Sequence, residues 1–254
     1  MKIPAMYSSA SCPILIIGCA RSGTTWLGQI LARGEALRVT IEDPFIFPLV
    51  DEAVLFWERR KELVERLISI YRQQICLAGS SIYVDKSHQN IWLTESLDEA
   101  FPSARYIAIE RMPHAAIASM MRHSGVQRHF INWRRYPLPN RHLGIRQDDA
   151  PHYDALPPSI KCAFRWQSHH ERLTELQRKL GNRLHLVRYE HLVEDTETEM
   201  ERLAAFVGRP LGSAMVERAP LGKWRDAFSM QQVTRIDEAI AAREGSAPMA
   251  SNSW

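Results

Sequence analysis

Cysteine is scarce in this chain, and the four present, Cys12, Cys19, Cys76 and Cys162, are scattered with no C-x-x-C spacing. That pattern excludes a Cys-based zinc module and a disulfide framework, so a reducing, cytoplasmic compartment is the expectation. Long apolar runs are missing too. None approaches the ~20 residues that a bilayer-spanning helix needs, and Met1–Ser11 has no apolar core of the kind a secretion signal carries. No membrane span is expected. Strong charge is a third absence. The 32 Lys+Arg and 29 Asp+Glu leave a formal net charge of +3, which suits an anionic ligand and is too small to imply a nucleic-acid partner. Nor is there an internal repeat. With 45% hydrophobic residues, the 254-residue chain suits one globular domain over 1–254, with a core at about 13–228 and a small, polar, loose tail at about 244–254.

The richest stretch runs from Pro13 to Leu31. Ile14 to Ile17 are apolar and β-branched or leucine, which predicts a strand buried on both faces. A turn from Gly18 to Gly23 follows, and then Trp26, Leu27, Ile30 and Leu31 recur at helical spacing. Strand, glycine-flanked turn and helix together form a phosphate cradle, because unpaired amides and the helix dipole converge on one place. The consensus loop has Gly, four residues, Gly, Lys, then Ser or Thr. Gly18 and Gly23 keep the spacing and Thr25 fills the hydroxyl position, but Thr24 stands where the lysine belongs. That lysine reaches the β- and γ-phosphates, so its absence argues against ATP or GTP hydrolysis. The cation lies in the turn instead, as Arg21. The plainer reading is a tight turn with a threonine cap.

Ala20-Arg21-Ser22-Gly23-Thr24-Thr25-Trp26 resembles the 5′-phosphosulfate loop of the sulfotransferases that use 3′-phosphoadenosine 5′-phosphosulfate (PAPS). Many members have Pro at the position of Ala20, and the cytosolic ones have Lys at that of Arg21. The resemblance continues in order along the chain to about Phe228. A second strand from Arg38 ends in Glu42 and Asp43, near where related carbohydrate and tyrosylprotein enzymes carry a Glu base; alternatively both residues cap the turn before Pro44. Leu55 to Leu77 read as an amphipathic scaffold helix. A strand from Ser81 runs into Lys86-Ser87-His88, which resembles the Lys-Thr-His run of cytosolic members. There the His is the general base and the Lys meets the transferred group; in many other branches a Pro replaces that His.

The strand ending in Arg111 is followed by a helix carrying Ser119, eight residues on, and this pair resembles the family's 3′-phosphate site. An Arg supplies a fork for phosphate and a Ser adds a hydroxyl. Between Arg122 and Arg146 there are six Arg, three His and no acidic residue, with Phe130, Trp133 and Tyr136 interleaved. This reads as a loop-rich cover over the site or as a solvated basic surface. Further on, a helix is predicted over Ile160 to Leu180, with Phe164, Leu173, Leu176 and Leu180 in the core. A strand then ends near Tyr189-Glu190, Thr196 and Glu199 read as a capping box, and Gly208 as a helix stop. By resemblance Tyr189 approaches the adenine and Glu190 is structural. Lys223 and Arg225 correspond to a segment that closes over the 3′-phosphate, with Trp224 as packing.

The resemblance implies a three-layer α/β/α fold with a central, mainly parallel sheet and a phosphate-binding loop. It implies in-line sulfuryl transfer from PAPS to a hydroxyl or amine, with release of 3′,5′-ADP. Arg21, Ser22, Gly23, Thr24 and Thr25 would hold the 5′-phosphosulfate, Trp26 would stack on adenine, and Arg111 and Ser119 would fix the 3′-phosphate. His88, or alternatively Glu42, would take the acceptor's proton while Lys86 stabilises developing charge. No metal is called for, since the cations are side chains. The acceptor class stays open among sugars, phenols, lipids and natural products, and a homodimer is compatible with the chain. Two other functions are consistent with single features. A nucleotide kinase-like phosphoryl transferase would use the glycine loop, and a non-catalytic polyanion-binding protein would use the Arg122–Arg146 segment.

Overall fold

The computed structural model describes residues 12–212 and 221–244; the expected N-terminal absence of a signal, most of the loose tail and Pro220 lie outside them. Five strands, β1 (Ile14–Gly18), β2 (Leu37–Ile41), β3 (Ile82–Lys86), β4 (Arg105–Glu110) and β5 (Leu184–Arg188), form one sheet in the order β2-β3-β1-β4-β5. Each neighbouring pair is parallel. Among the described residues, ten α-helices accompany them. In chain order these are α1 (Thr24–Leu31), α2 (Phe47–Leu55), α3 (Arg60–Ala78), α4 (Thr94–Ala100), α5 (Pro113–Met121), α6 (Ser124–Ile131), α7 (Pro158–Leu180), α8 (Tyr189–Glu194), α9 (Thr196–Val207) and α10 (Met230–Ala241).

Strand alternation divides the core into the three expected layers. Ile14 and Ile16 of β1 join Val84, Ile107, Ile109 and Val187 in packing against α1, α8 and α9. Leu15 and Ile17 face the other way, with Tyr83, Tyr106 and Ala108, into α2, α3, α4 and α7. All of β1 is buried, which is why its sequence is continuously apolar rather than alternating. Each such side chain contributes about 1.5–3 kcal/mol by leaving water. A further apolar cluster, from α5, α6, α7 and α10, stands beside the sheet and includes Ile117, Phe130, Trp166 and Ile236. No helix of the described residues is long and apolar enough to cross a membrane.

Three local expectations are corrected. The helix expected over Leu55 to Leu77 is two helices. α2, with Pro48 in its first turn, ends at Leu55, and the Phe56 backbone (φ −114°, ψ 71°) leaves helical geometry before α3 restarts at Arg60. Tyr189 begins α8 rather than ending a strand. α9 is capped by Asp195, whose carboxylate accepts from the Thr198 amide, while Thr196 Oγ1 donates back to the Leu192 carbonyl. Glu199 is buried, facing His185 and Arg202. The loop-rich basic stretch from Arg122 to Arg146 also holds one helix: Val126 and Phe130, one helical turn apart, bury one face of α6.

Candidate active site

Five parallel strands bring their C-terminal ends to one edge, and in an open α/β sheet that edge is where ligands bind. Register holds these ends level. Gly18 lies opposite Ile109, Ile41 opposite Lys86, and Glu110 opposite Arg188. A cleft of about 580 Å³ opens there. Among the residues singled out from sequence, Arg21, Gly23, Thr24, Thr25, Trp26, Glu42, Lys86, His88, Arg111, Ser119 and Tyr189 line it. Ser22 is buried behind the loop and does not line the cleft, so only its backbone is offered. Lys223 and Arg225 are exposed on the segment before α10 and do not line it either; Trp224 stacks on His114 at 4.7 Å.

The turn after β1 is shaped as a cradle. Gly23 has φ +98°, and a Cβ there would meet Tyr189 Cδ2 at 2.7 Å. We expect Gly23→Ala to cost about 1–3 kcal/mol of stability, readable in a urea denaturation midpoint; an unchanged midpoint would contradict this packing. Gly23 is also the N-cap of α1, with no side-chain cap and no acidic residue in the first turn, so the first amides face the cleft uncompensated. Of the three non-glycine residues with positive φ among those described, two, Arg21 (φ 71°) and Glu42 (φ 50°), line this cleft. Left-handed backbone at such residues costs about 1–3 kcal/mol and collects at functional sites.

The two groups expected to hold phosphate meet. Arg21 Nε donates to Ser119 Oγ at 3.2 Å, and Arg111 Nη1 donates to the Arg21 carbonyl at 3.3 Å. The Arg111 guanidinium lies 4.2 Å over the Tyr189 ring, and Trp26 meets the same ring edge-on at 5.6 Å. Arg111 Nε is buried and has no hydrogen-bond partner among the described residues. Glu190 takes the Met112 amide at 3.1 Å, the structural part expected of it.

At the end of β3, Lys86 is almost wholly buried, and its ammonium is held by the Glu42 carboxylate. Burial pulls the Lys86 pKa down, and Glu42 opposes the shift. His88 is buried, neither ring nitrogen has a hydrogen-bond partner among the described residues, and its ring lies 5.9 Å from that of Phe47. Desolvation, then the charge of Lys86, holds its pKa well below 6.5, so the ring is neutral at pH 7. The preceding residue, Asp85, is turned under the sheet. It accepts from Tyr71 (2.8 Å), Thr40 (3.1 Å) and Asn90 (3.1 Å), and burial pushes its pKa up to about 6.

The inner wall of the cleft holds Arg128 and His129, from the basic segment read as a cover over the site, together with Asp51, Gln89 and Arg165, which sequence reading missed. A signal for Arg165 existed. The apolar stripe Leu180, Leu176, Leu173 continues back along α7 through His169 to Arg165, and both are buried, whereas Phe164, expected in the core, is only half-buried. Asp51, His129 and His142 place ligand-type atoms within 4.8 Å of one another. Arg165 Nη2, which can only donate, bonds His142 Nε2 at 2.8 Å, so His142 Nδ1 carries the ring proton and is not free to ligate a cation. Part of the basic segment is paired off: Arg134 with Asp154 and Arg141 with Glu175. A larger cavity, about 740 Å³, lies between α3 and residues 139–142; no strand end lines it.

A model of the sulfotransferase family matches residues 13–75 and 66–213. The sulfotransferase domain from the curacin biosynthetic pathway superposes with a TM-score of 0.57 at 15% identity, covering 92% of this chain and 99% of that one. The sulfotransferase domain of the Synechococcus PCC 7002 olefin synthase gives 0.55 at 17%, covering 94% and 98%. A sulfotransferase from Alicyclobacillus acidocaldarius gives 0.50 at 16%, covering 91% and 96%. These likenesses are of fold. No curated protein sequence matches the chain.

Proposed function

The chain belongs to the sulfotransferase family, and from that premise we propose that it moves a sulfuryl group from PAPS to a hydroxyl or amine of a small-molecule, carbohydrate or natural-product acceptor, leaving 3′,5′-ADP. The observation that carries this reading is the meeting of the two phosphate-type groups, Arg21 with Ser119 and Arg111 with the Arg21 carbonyl, beside an unpartnered neutral histidine. When bound, PAPS supplies the activated sulfuryl group. The residues present fit it. The amides of Ser22 to Thr25 and Arg21 suit the 5′-phosphosulfate, Arg111 and Ser119 suit the 3′-phosphate, and Trp26 and Tyr189 offer ring surface for adenine.

His88 receives the acceptor's proton. Its ring is neutral and neither nitrogen is engaged, whereas the Glu42 carboxylate already holds Lys86. Glu42 thereby keeps Lys86 charged against its burial, and the ammonium stabilises negative charge as it develops on the leaving phosphate. A kinase-like activity is disfavoured by Thr24 in the lysine position and by Asp85, whose carboxyl is committed to Tyr71, Thr40 and Asn90. Calorimetric titration distinguishes the two. Micromolar binding of 3′,5′-ADP, with 5′-AMP and magnesium ATP much weaker, is the expected result. Tight magnesium ATP with no preference for a 3′-phosphate would move the assignment to phosphoryl transfer.

A further inference from the structure

Arg165 is 1% exposed, yet it has no ion pair among the described residues. Among the described residues its one side-chain hydrogen bond goes to His142, and Nε and Nη1 are buried without partners. An uncompensated buried cation costs several kcal/mol, so one that persists beside a cavity calls for an anion from outside. One neighbouring ring adds a donor. His142 Nδ1 carries a proton and is unpartnered. The nearby carboxylate, Asp51, is already taken, by Gln89 Nε2 at 2.7 Å and by His129 Nε2 at 3.4 Å. Glu42, the other carboxylate of the cleft, holds Lys86.

We propose that Arg165 is the acceptor-anchoring residue: it receives a carboxylate of the acceptor molecule at the inner wall of the cleft, beside His88. This deepens the sulfotransferase reading and rests on it. The phosphates have their own donors at the loop and at Arg111, so Arg165 is not needed for them. The charge at the inner wall points to a monoanion. Burial holds His88, His142 and His169 neutral, helped by Lys86 and then Arg165 at His88 and by Arg165 at the other two. Arg128 is exposed and Lys86 is held by Glu42, which leaves Arg165 as the buried positive charge with no ion pair among the described residues of that wall. His169 needs no ligand, since Trp92 donates to its Nε2 and its Nδ1 donates to the Arg165 carbonyl. The acceptor class is therefore a hydroxy- or amino-carboxylate. A sulfonate is also a monoanion, so the donor's own sulfonate is the competing occupant.

The test uses the full chain saturated with 3′,5′-ADP, titrated calorimetrically with benzoate and octanoate and with the neutral benzamide and octanamide. Each carboxylate is expected to bind at least about tenfold more tightly than its amide, the scale of hydrogen bonds to a charged group. Arg165→Met should remove that preference and Arg165→Lys should keep part of it, with 3′,5′-ADP affinity unchanged in both. Should the methionine variant fail to fold, Arg165→Gln takes its place. Equal binding of carboxylate and amide, or a preference that survives Arg165→Met, overturns the proposal. So does an Arg165→Met variant that binds PAPS more weakly and 3′,5′-ADP normally, because the sulfonate is then the occupant. Failure of 3′,5′-ADP to bind the native protein would sink the donor assignment alone; the carboxylate titration without nucleotide still reads Arg165.

Discussion

His88→Ala is expected to lower kcat by about 10²–10⁴-fold, the usual contribution of a positioned general base, while 3′,5′-ADP binds as tightly as before. Neither contact between the phosphate-type groups, Arg21 to Ser119 or Arg111 to the Arg21 carbonyl, runs through the His88 ring, so its loss should not touch donor affinity. Its protonation also sets the pH profile. Burial and Lys86 hold the His88 pKa well below 6.5, so the active neutral form is complete at pH 7 and is lost only as pH falls through that lowered value. The acidic limb of kcat/KM should accordingly lie well below 6.5. Retention of native turnover by the alanine variant would hand the base role to Glu42, and Glu42→Gln would then be the variant that loses it.

The second large effect is on donor recognition. Arg111→Ala should weaken 3′,5′-ADP by about 10–150-fold, the loss of a charge-assisted hydrogen bond worth about 1.5–3 kcal/mol, and leave 5′-AMP nearly unchanged. The selectivity for a 3′-phosphate should therefore collapse. Folding should suffer little. What the native structure loses is one 3.3 Å bond to a loop carbonyl and the guanidinium over Tyr189, a contact of about 0.5–1 kcal/mol. Calorimetry with both nucleotides, together with a thermal unfolding curve, separates the two effects. Undiminished 3′,5′-ADP affinity in a folded variant would remove the 3′-phosphate assignment.

Much of the architecture was legible because parallel strands announce themselves. Ile14–Ile17 and Tyr106–Ile109 are continuous apolar runs, since helices cover both faces of the sheet. The cradle was legible through residue types that have few other reasons to occur together: glycine at Gly23, where a side chain would strike Tyr189, and hydroxyl and cationic residues around it. Element boundaries were less so. Leu55 to Lys61 continues a helical pattern that the Phe56 backbone breaks, and Asp195 outcompeted Thr196 as a cap because its carboxylate reaches the Thr198 amide.

The sequence by itself determined the sheet-forming segments, the glycine-flanked turn after β1 and the eight-residue spacing of Arg111 and Ser119, because each rests on local chemistry or on short spacing along one segment. Tertiary structure alone decided which groups are free to act. His88 read as the candidate base with Glu42 as the alternative, and the register of β2 and β3 brings the Lys86 ammonium to Glu42 while the His88 ring has no hydrogen-bond partner among the described residues. Arg165 and Asp51 lie 114 positions apart in the chain. That one is matched by Gln89 and His129 while the other holds a buried, unpaired charge depends on long-range packing, which no periodicity in a single segment encodes.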